Sequence, residues 1–134
     1  YITQTAAGNR DRLTILGSNY NMPDWTNIRD FIHVVDLARA HVKALDRLGA
    51  MPHSYRTYNL GTGKGNSVLE VVSSFERVNG IELNKTIGDR RAGDVEQIWA
   101  DTSRASKELG WSCEFDLDDM MRTAWNWQVQ LNQS

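Results

Sequence analysis

The sequence predicts an α/β fold, because short runs rich in β-branched and aromatic residues alternate with runs whose apolar residues recur at helical spacing. Glycines close most of these runs, and Ser or Asp stands at the start of the later helices.

In chain order, "YITQTAAG" reads as the end of a helix closed by Gly8. "RLTILG" (12–17) is a short strand with a glycine stop, followed by a polar loop over 18–30 punctuated by Pro23. "VVDLARAHVKALDRLG" carries Leu37, Ala38, His41, Ala44, Leu45 and Leu48 at helical spacing and ends at Gly49. "SYRTYNLG" (54–61) reads as a strand. A helix from Val68 aligns Val71, Val72, Phe75 and Val78 and stops at Gly80. "ELNKTIGD" (82–89) is a strand, and "RRAGDVEQIWA" is irregular or partly extended. Asp101 caps "TSRASKELG", and Asp116 opens a last helix in which Leu117, Met120, Met121, Ala124, Trp125, Gln128 and Leu131 share a stripe.

The 134 residues amount to one domain. Fifteen basic against 17 acidic residues, net charge −2, advertise no nucleic-acid face. No apolar run approaches the ~18–20 residues of a membrane span. The first residues lack a signal peptide's charged and apolar regions and an initiator Met, so the chain is expected to be processed or a piece of a longer one. A single cysteine, Cys113, suits the cytoplasm.

"YNLGTGKGNSVLEVV" (58–72) raises the question of a phosphate-cradling loop. Gly61, Gly63 and Gly65 give Gly-x-Gly-x-Gly, which matches neither the dinucleotide fingerprint nor the P-loop. Ser67-Val-Leu-Glu70 is a capping box that satisfies its own helix N-terminus. The stretch reads as a structural strand–turn–helix.

Chemistry is sought elsewhere. In "DRRAGDVEQIWAD" (89–101), adjacent arginines offer a planar fork for phosphate, and Asp94 can accept from sugar hydroxyls. The bland alternative is a surface Arg/Asp pair of little energetic weight. Arg29-Asp30 offers either a second phosphate ligand or only a cap for the following helix. His33, His41 and His53 lack the partners of a metal site, and His41 reads as a packing histidine. Trp125, Trp127 and the two methionines of the last helix read as core, and no Gly-x-Ser-x-Gly elbow is present.

Taken in order, "IRDFIHVVDLARAHVKAL", "YNLGTGKGNSVLEVV", "RRAGDVEQIWAD…KELGW" and "TAWNWQ" resemble the carboxyl-terminal part of UDP-glucose 4-epimerases, extended short-chain dehydrogenases/reductases with a Rossmann-like fold. The resemblance runs from Tyr1 to about Gln128. It implies that Arg29 and Arg91 bind the UDP diphosphate from two sides and that Asp94 holds the ribose hydroxyls. Thr14, Ile15 and Leu16 would meet the uracil edge, largely through backbone groups. Ile98 falls where the family sets how bulky a sugar fits. Members read "EDGTGVRD"-like before the arginine, whereas this chain reads "PDWTNIRD", with Trp25 and Asn27 in place of glycines.

The family's NAD fingerprint and Tyr-x-x-x-Lys are absent, as is most of the Rossmann domain. The resemblance therefore implies a parent enzyme that interconverts UDP-glucose and UDP-galactose with NAD. In it, a tyrosine takes the C4 hydroxyl proton while NAD accepts and returns hydride. The whole of 1–134 would be its UDP-sugar-binding domain, holding no cofactor and inactive alone, with 30–61 packing on the absent Rossmann domain. Without that domain the chain is expected to self-associate. The alternatives are a non-catalytic interaction module, or the matching part of a sugar-nucleotide dehydratase or decarboxylase.

Overall fold

In a computed structural model, residues 1–50 and 55–133 are described. Helix α1 (Ile2–Ala6) precedes strand β1 (Leu13–Leu16), and strand β2 (Ile28–Arg29) precedes helix α2 (Val34–Arg47). Strand β3 (Asn66–Ser67) leads into α3 (Val68–Asn79), then β4 (Lys85–Gly88) and β5 (Gln97–Ile98). Helices α4 (Ser103–Leu109) and α5 (Leu117–Gln133) complete the α/β fold.

Two small sheets organise it. β1 and β4 pair in parallel, Thr14 opposite Thr86, and β2 lies between antiparallel β3 and parallel β5, with Arg29 opposite Ile98. The alternation of "LTIL" turns Leu13 and Ile15 inward onto Val72, Phe75 and Leu83. Trp125 of α5 meets the Phe75 ring edge-on at 5.9 Å. A second core gathers Ala40, Ala105, Leu109 and Trp111.

Local capping sets several of the helix starts. At α3 the Glu70 amide donates to Ser67 Oγ at 3.0 Å and the Ser67 amide donates to Glu70 Oε2 at 2.7 Å, closing the capping box read from the sequence. Asp116 and Asp119 form the same reciprocal pair at α5. Asp101 sits one residue outside the α4 N-cap and accepts from the Ser103 amide at 3.0 Å.

Three expectations are corrected. Residues 55–60 carry no ladder, so the strand expected over 54–61 is absent from its described part; a strand needs a neighbour, and among the described residues none pairs with it. His41 does not pack: it is exposed, and its Nδ1 lies 2.8 Å from the Leu37 carbonyl one turn back. Trp127 is 62% exposed rather than core, because α5 lays Met120, Trp125 and Gln128 inward and turns Trp127 away. His53 lies outside the described residues.

α2 is turned in an unusual way. Its buried positions are Asp36 and Ala40, while Val42 and Leu45, and Leu48 just past its end, lie on the outside. The inward Asp36 has a physical reason: its Oδ2 accepts from the Glu114 and Phe115 amides at 3.2 and 3.1 Å, and its carbonyl accepts from the Trp111 indole at 2.9 Å. The Trp111 indole is buried and would otherwise lack a partner. His33 opens the helix as its N-cap, its Nδ1 accepting from the Val35 amide.

Candidate functional site

The glycine loop is already filled by the chain itself. Asp30, at the exit of β2, reaches across: its Oδ1 accepts from the Thr62 amide at 2.8 Å and from Thr62 Oγ1 at 2.6 Å. Its Oδ2 accepts from the Gly63 amide at 3.3 Å and the Ala100 amide at 3.1 Å. Burial raises the Asp30 carboxyl, but the bonds from Thr62, Ala100 and Gly63 outweigh it and hold the pKa below the ordinary value. Gly61 and Gly65 are glycines because a Cβ would run into the Asp30 carboxylate and the Ile28 side chain respectively. The donors a phosphate would use therefore face an internal carboxylate, and the loop does not fit a dinucleotide's diphosphate.

Most of the sequence-predicted residues gather instead around a cleft beside β1. This cleft of about 520 Å³ is lined by β1 from Leu13 to Leu16, by Tyr1, Arg10 and Arg12 before it, and by Asn27, Val68, Arg91 and Asp94. That volume is within the range of small-ligand sites. β1 offers it a free backbone edge. The amides of Leu13 and Gly17 donate to Asn84 and Gly88 on the β4 side, so the alternate residues Thr14 and Leu16 direct N–H and C=O to the unpaired edge.

Asp94 stands between the two predicted arginines, with Oδ1 3.7 Å from Arg29 and Oδ2 3.8 Å from Arg91. Arg29 is also fixed by donating to the carbonyls of Ile28 at 2.7 Å and Val95 at 2.9 Å. Six of the seven sequence-predicted residues are thus gathered: Thr14, Ile15, Leu16, Arg91 and Asp94 line the cleft, and Arg29 reaches it through Asp94. Ile98 does not line it; it lies on β5 beside Arg29, more than half exposed.

The sequence reading missed Arg10 and Arg12. Arg10 is occupied, its Nε donating to Gln4 at 2.7 Å and its guanidinium lying 4.2 Å from the Tyr1 ring centre. Arg12 would have been found by carrying the alternation of Thr14 and Leu16 one step back, to the residue that enters β1.

The loop entering β2 contains the backbone exception of the described residues. Trp25, where the resembling family has glycine, is the one non-glycine residue with positive φ, at 62°. The Tyr20 amide donates to its carbonyl at 3.1 Å and its amide donates to Met22, which holds the tight turn.

Comparison with known proteins agrees with this architecture. Residues 1–124 match the family described as GDP-mannose 4,6 dehydratase. The UDP-glucose 4-epimerase of Dictyostelium discoideum is 51% identical over 128 residues, covering 96% of this chain and 37% of that protein. A UDP-glucose-4-epimerase from Stenotrophomonas maltophila, solved with NAD and formylated UDP-arabinopyranose, superposes with a TM-score of 0.95 at 44% identity. It is matched over 99% of this chain and 39% of its own. The Bifidobacterium longum enzyme, solved with NAD+ and UDP, gives 0.90 at 42% identity, over 97% of this chain and 38% of its own. The chain thus spans little more than a third of the length of the relatives it matches. With this coverage and this fold, the chain belongs to the extended short-chain dehydrogenase/reductase family that includes the UDP-glucose 4-epimerases, and it matches their carboxyl-terminal part.

Proposed function

We propose that the cleft is a UDP-sugar site, and that the chain is the UDP-sugar-binding portion of an NAD-dependent UDP-glucose 4-epimerase. The observation that carries this is the Arg29–Asp94–Arg91 cluster beside the free edge of β1. Two guanidinium forks can hold a diphosphate, and Asp94 can accept from vicinal ribose hydroxyls. The exposed N–H and C=O groups of Thr14 and Leu16 complement the alternating donors and acceptors of a uracil edge. Ile98, on the neighbouring strand, is read as bordering the sugar.

NAD belongs to the parent rather than to this chain, whose glycine loop is filled by Asp30 and whose sequence has no Tyr-x-x-x-Lys. The chain alone binds nucleotide sugar without turning it over. We assign the parent to galactose metabolism in the cytoplasm, where a lone cysteine is at home. No helix of the described residues is long and apolar enough to cross a membrane.

Segment 30–61 is read as the face toward the remainder of the parent. Support comes from the outward Val42 and Leu45 of α2, the exposed Leu48 that follows it and the unladdered residues 55–60. The same face makes a homo-oligomeric interaction module the second reading, and it gives the isolated chain a surface for self-association. Light scattering over a concentration series is expected to show dimers or larger species; a monomer at every concentration removes that reading.

The deciding experiment is calorimetric titration of UDP and GDP into the chain, with Arg91→Ala alongside. UDP binding that weakens by about 1.5–3 kcal/mol in the variant is expected for a charged hydrogen bond. No UDP binding to the unmodified chain refutes the site, and preference for GDP points to the sugar-nucleotide dehydratase alternative.

A further inference from the structure

Arg12 has no role in the arrangement described so far. It lines the cleft, yet among the described residues it makes no hydrogen bond, ion pair or ring contact. The other cleft cations are engaged, Arg10 with Gln4 and Tyr1 and Arg91 with Asp94.

Its position immediately before β1 fixes which end of a ligand it would meet. β1 and β4 run parallel, and β4 leads from Gly88 directly into Arg90 and Arg91. The Leu16–Gly17 end of β1 abuts that segment, as a Cβ on Gly17 would lie 3.4 Å from the Arg90 backbone. Arg12 marks the opposite end. At the usual rise of a strand it stands about 13 Å from Leu16. A ligand with its diphosphate at Arg91 and its base along Thr14 carries the outer edge of that base toward Arg12.

The chemistry of that edge separates the pyrimidines. The backbone at Thr14 and Leu16 offers donors and acceptors alike and can pair with uracil or cytosine. A guanidinium has five donors and no acceptor. It complements the carbonyl edge of uracil and opposes the exocyclic amine of cytosine. Resting on the nucleotide reading above, we infer that Arg12 is a specificity-determining residue of the cleft, selecting a uracil-type base over a cytosine-type base.

The test is titration of UDP and CDP into the 134-residue chain and its Arg12→Met, Arg12→Lys and Arg91→Ala variants. Arg12→Met keeps the apolar stem, and because Arg12 is exposed its melting temperature is expected to be unchanged. The unmodified chain is expected to prefer UDP. Arg12→Met is expected to reduce the UDP-over-CDP ratio about tenfold, the lower end for a charged hydrogen bond. Arg12→Lys, still a pure donor, retains most of the preference. Arg91→Ala weakens both nucleotides alike and leaves the ratio intact. An unchanged ratio in Arg12→Met overturns the inference while the nucleotide site stands. Failure of UDP to bind the unmodified chain overturns both.

Discussion

Replacing Asp30 by Asn tests whether the glycine loop is held by its own carboxylate. Asn keeps the shape and one acceptor oxygen, which can still serve Thr62 N and Oγ1, now 2.8 and 2.6 Å from Oδ1. The second oxygen becomes an NH2 group facing the Gly63 and Ala100 amides, now 3.3 and 3.1 Å from Oδ2. Two bonds to a charged acceptor are lost and donors face donors. The Gly63 contact is long and its amide can turn to water, so the cost is less than two full charged bonds, about 2–3 kcal/mol. For a chain of this length that lowers the melting temperature by roughly 7–10 °C. Thermal unfolding followed by circular dichroism reads the shift, and hydrogen exchange at the Thr62, Gly63 and Ala100 amides reads its location. A change of less than ~2 °C with unaltered protection at those amides would show that Asp30 does not hold the loop. New phosphate binding by the variant would instead mean that the carboxylate had been standing in for an anion.

Trp25→Gly is expected to stabilise the chain. Positive φ costs an L-residue about 1–2 kcal/mol, glycine returns part of that as chain entropy, and Trp25 is 64% exposed, so little burial is lost. A gain of about 0.5–1 kcal/mol in urea unfolding is expected, and a loss would refute the strain. Acid should destabilise in a defined window. The Arg56 hydrogen bond holds Glu108 at about 2, the Arg77 hydrogen bond holds Asp118 at about 2, and Lys85 lowers Glu76. Folded values below the unfolded ~4 mean the stabilisation is complete above that pH and is lost as pH falls toward about 2. Melting temperatures that stay level from pH 5 down to pH 2 would contradict this. Burial, with Asp36 and Asp30 nearby, pushes the Cys113 thiol up to about 11. Its reaction with a disulfide reagent should be slow at neutral pH and accelerate toward pH 11; rapid labelling of the folded chain at pH 7 would count against it.

What was legible in the sequence was local. The Ser67–Glu70 box, the Asp116 start of α5 and the alternation of β1 need only residues within one turn or one strand of each other. The glycine loop is internally satisfied, but by a group that the local spacing does not show. The capping box satisfies α3, whereas the loop itself is satisfied by Asp30, 32 residues away. No spacing rule reports such a contact. The expected strand at 54–61 had the right composition, yet strand formation depends on a partner that composition does not supply. On α2 and α5 the period located apolar stripes correctly. Which stripe faces inward was decided by distant groups, the Trp111 indole and the Glu114 and Phe115 amides, which draw Asp36 rather than Leu45 into the interior.

The two arginines of the site differ in a way that decides how each should be probed. Arg29 is built into the scaffold: it donates to two carbonyls at 2.7 and 2.9 Å and its side chain is only 26% exposed. Its guanidinium is therefore oriented before any ligand arrives, at no further cost in rotamer freedom. Arg91 is 68% exposed, and its Nε lies 3.8 Å from Asp94, beyond hydrogen-bonding distance. It must be ordered by the ligand, and the surface pair adds little to folding. Removing Arg29 strips the Ile28 and Val95 carbonyls of a donor and disturbs the β2–β5 register as well as the site. Removing Arg91 leaves the fold alone. A drop in affinity with an unchanged melting temperature is consequently expected only for Arg91→Ala, whereas Arg29→Ala should lower both together.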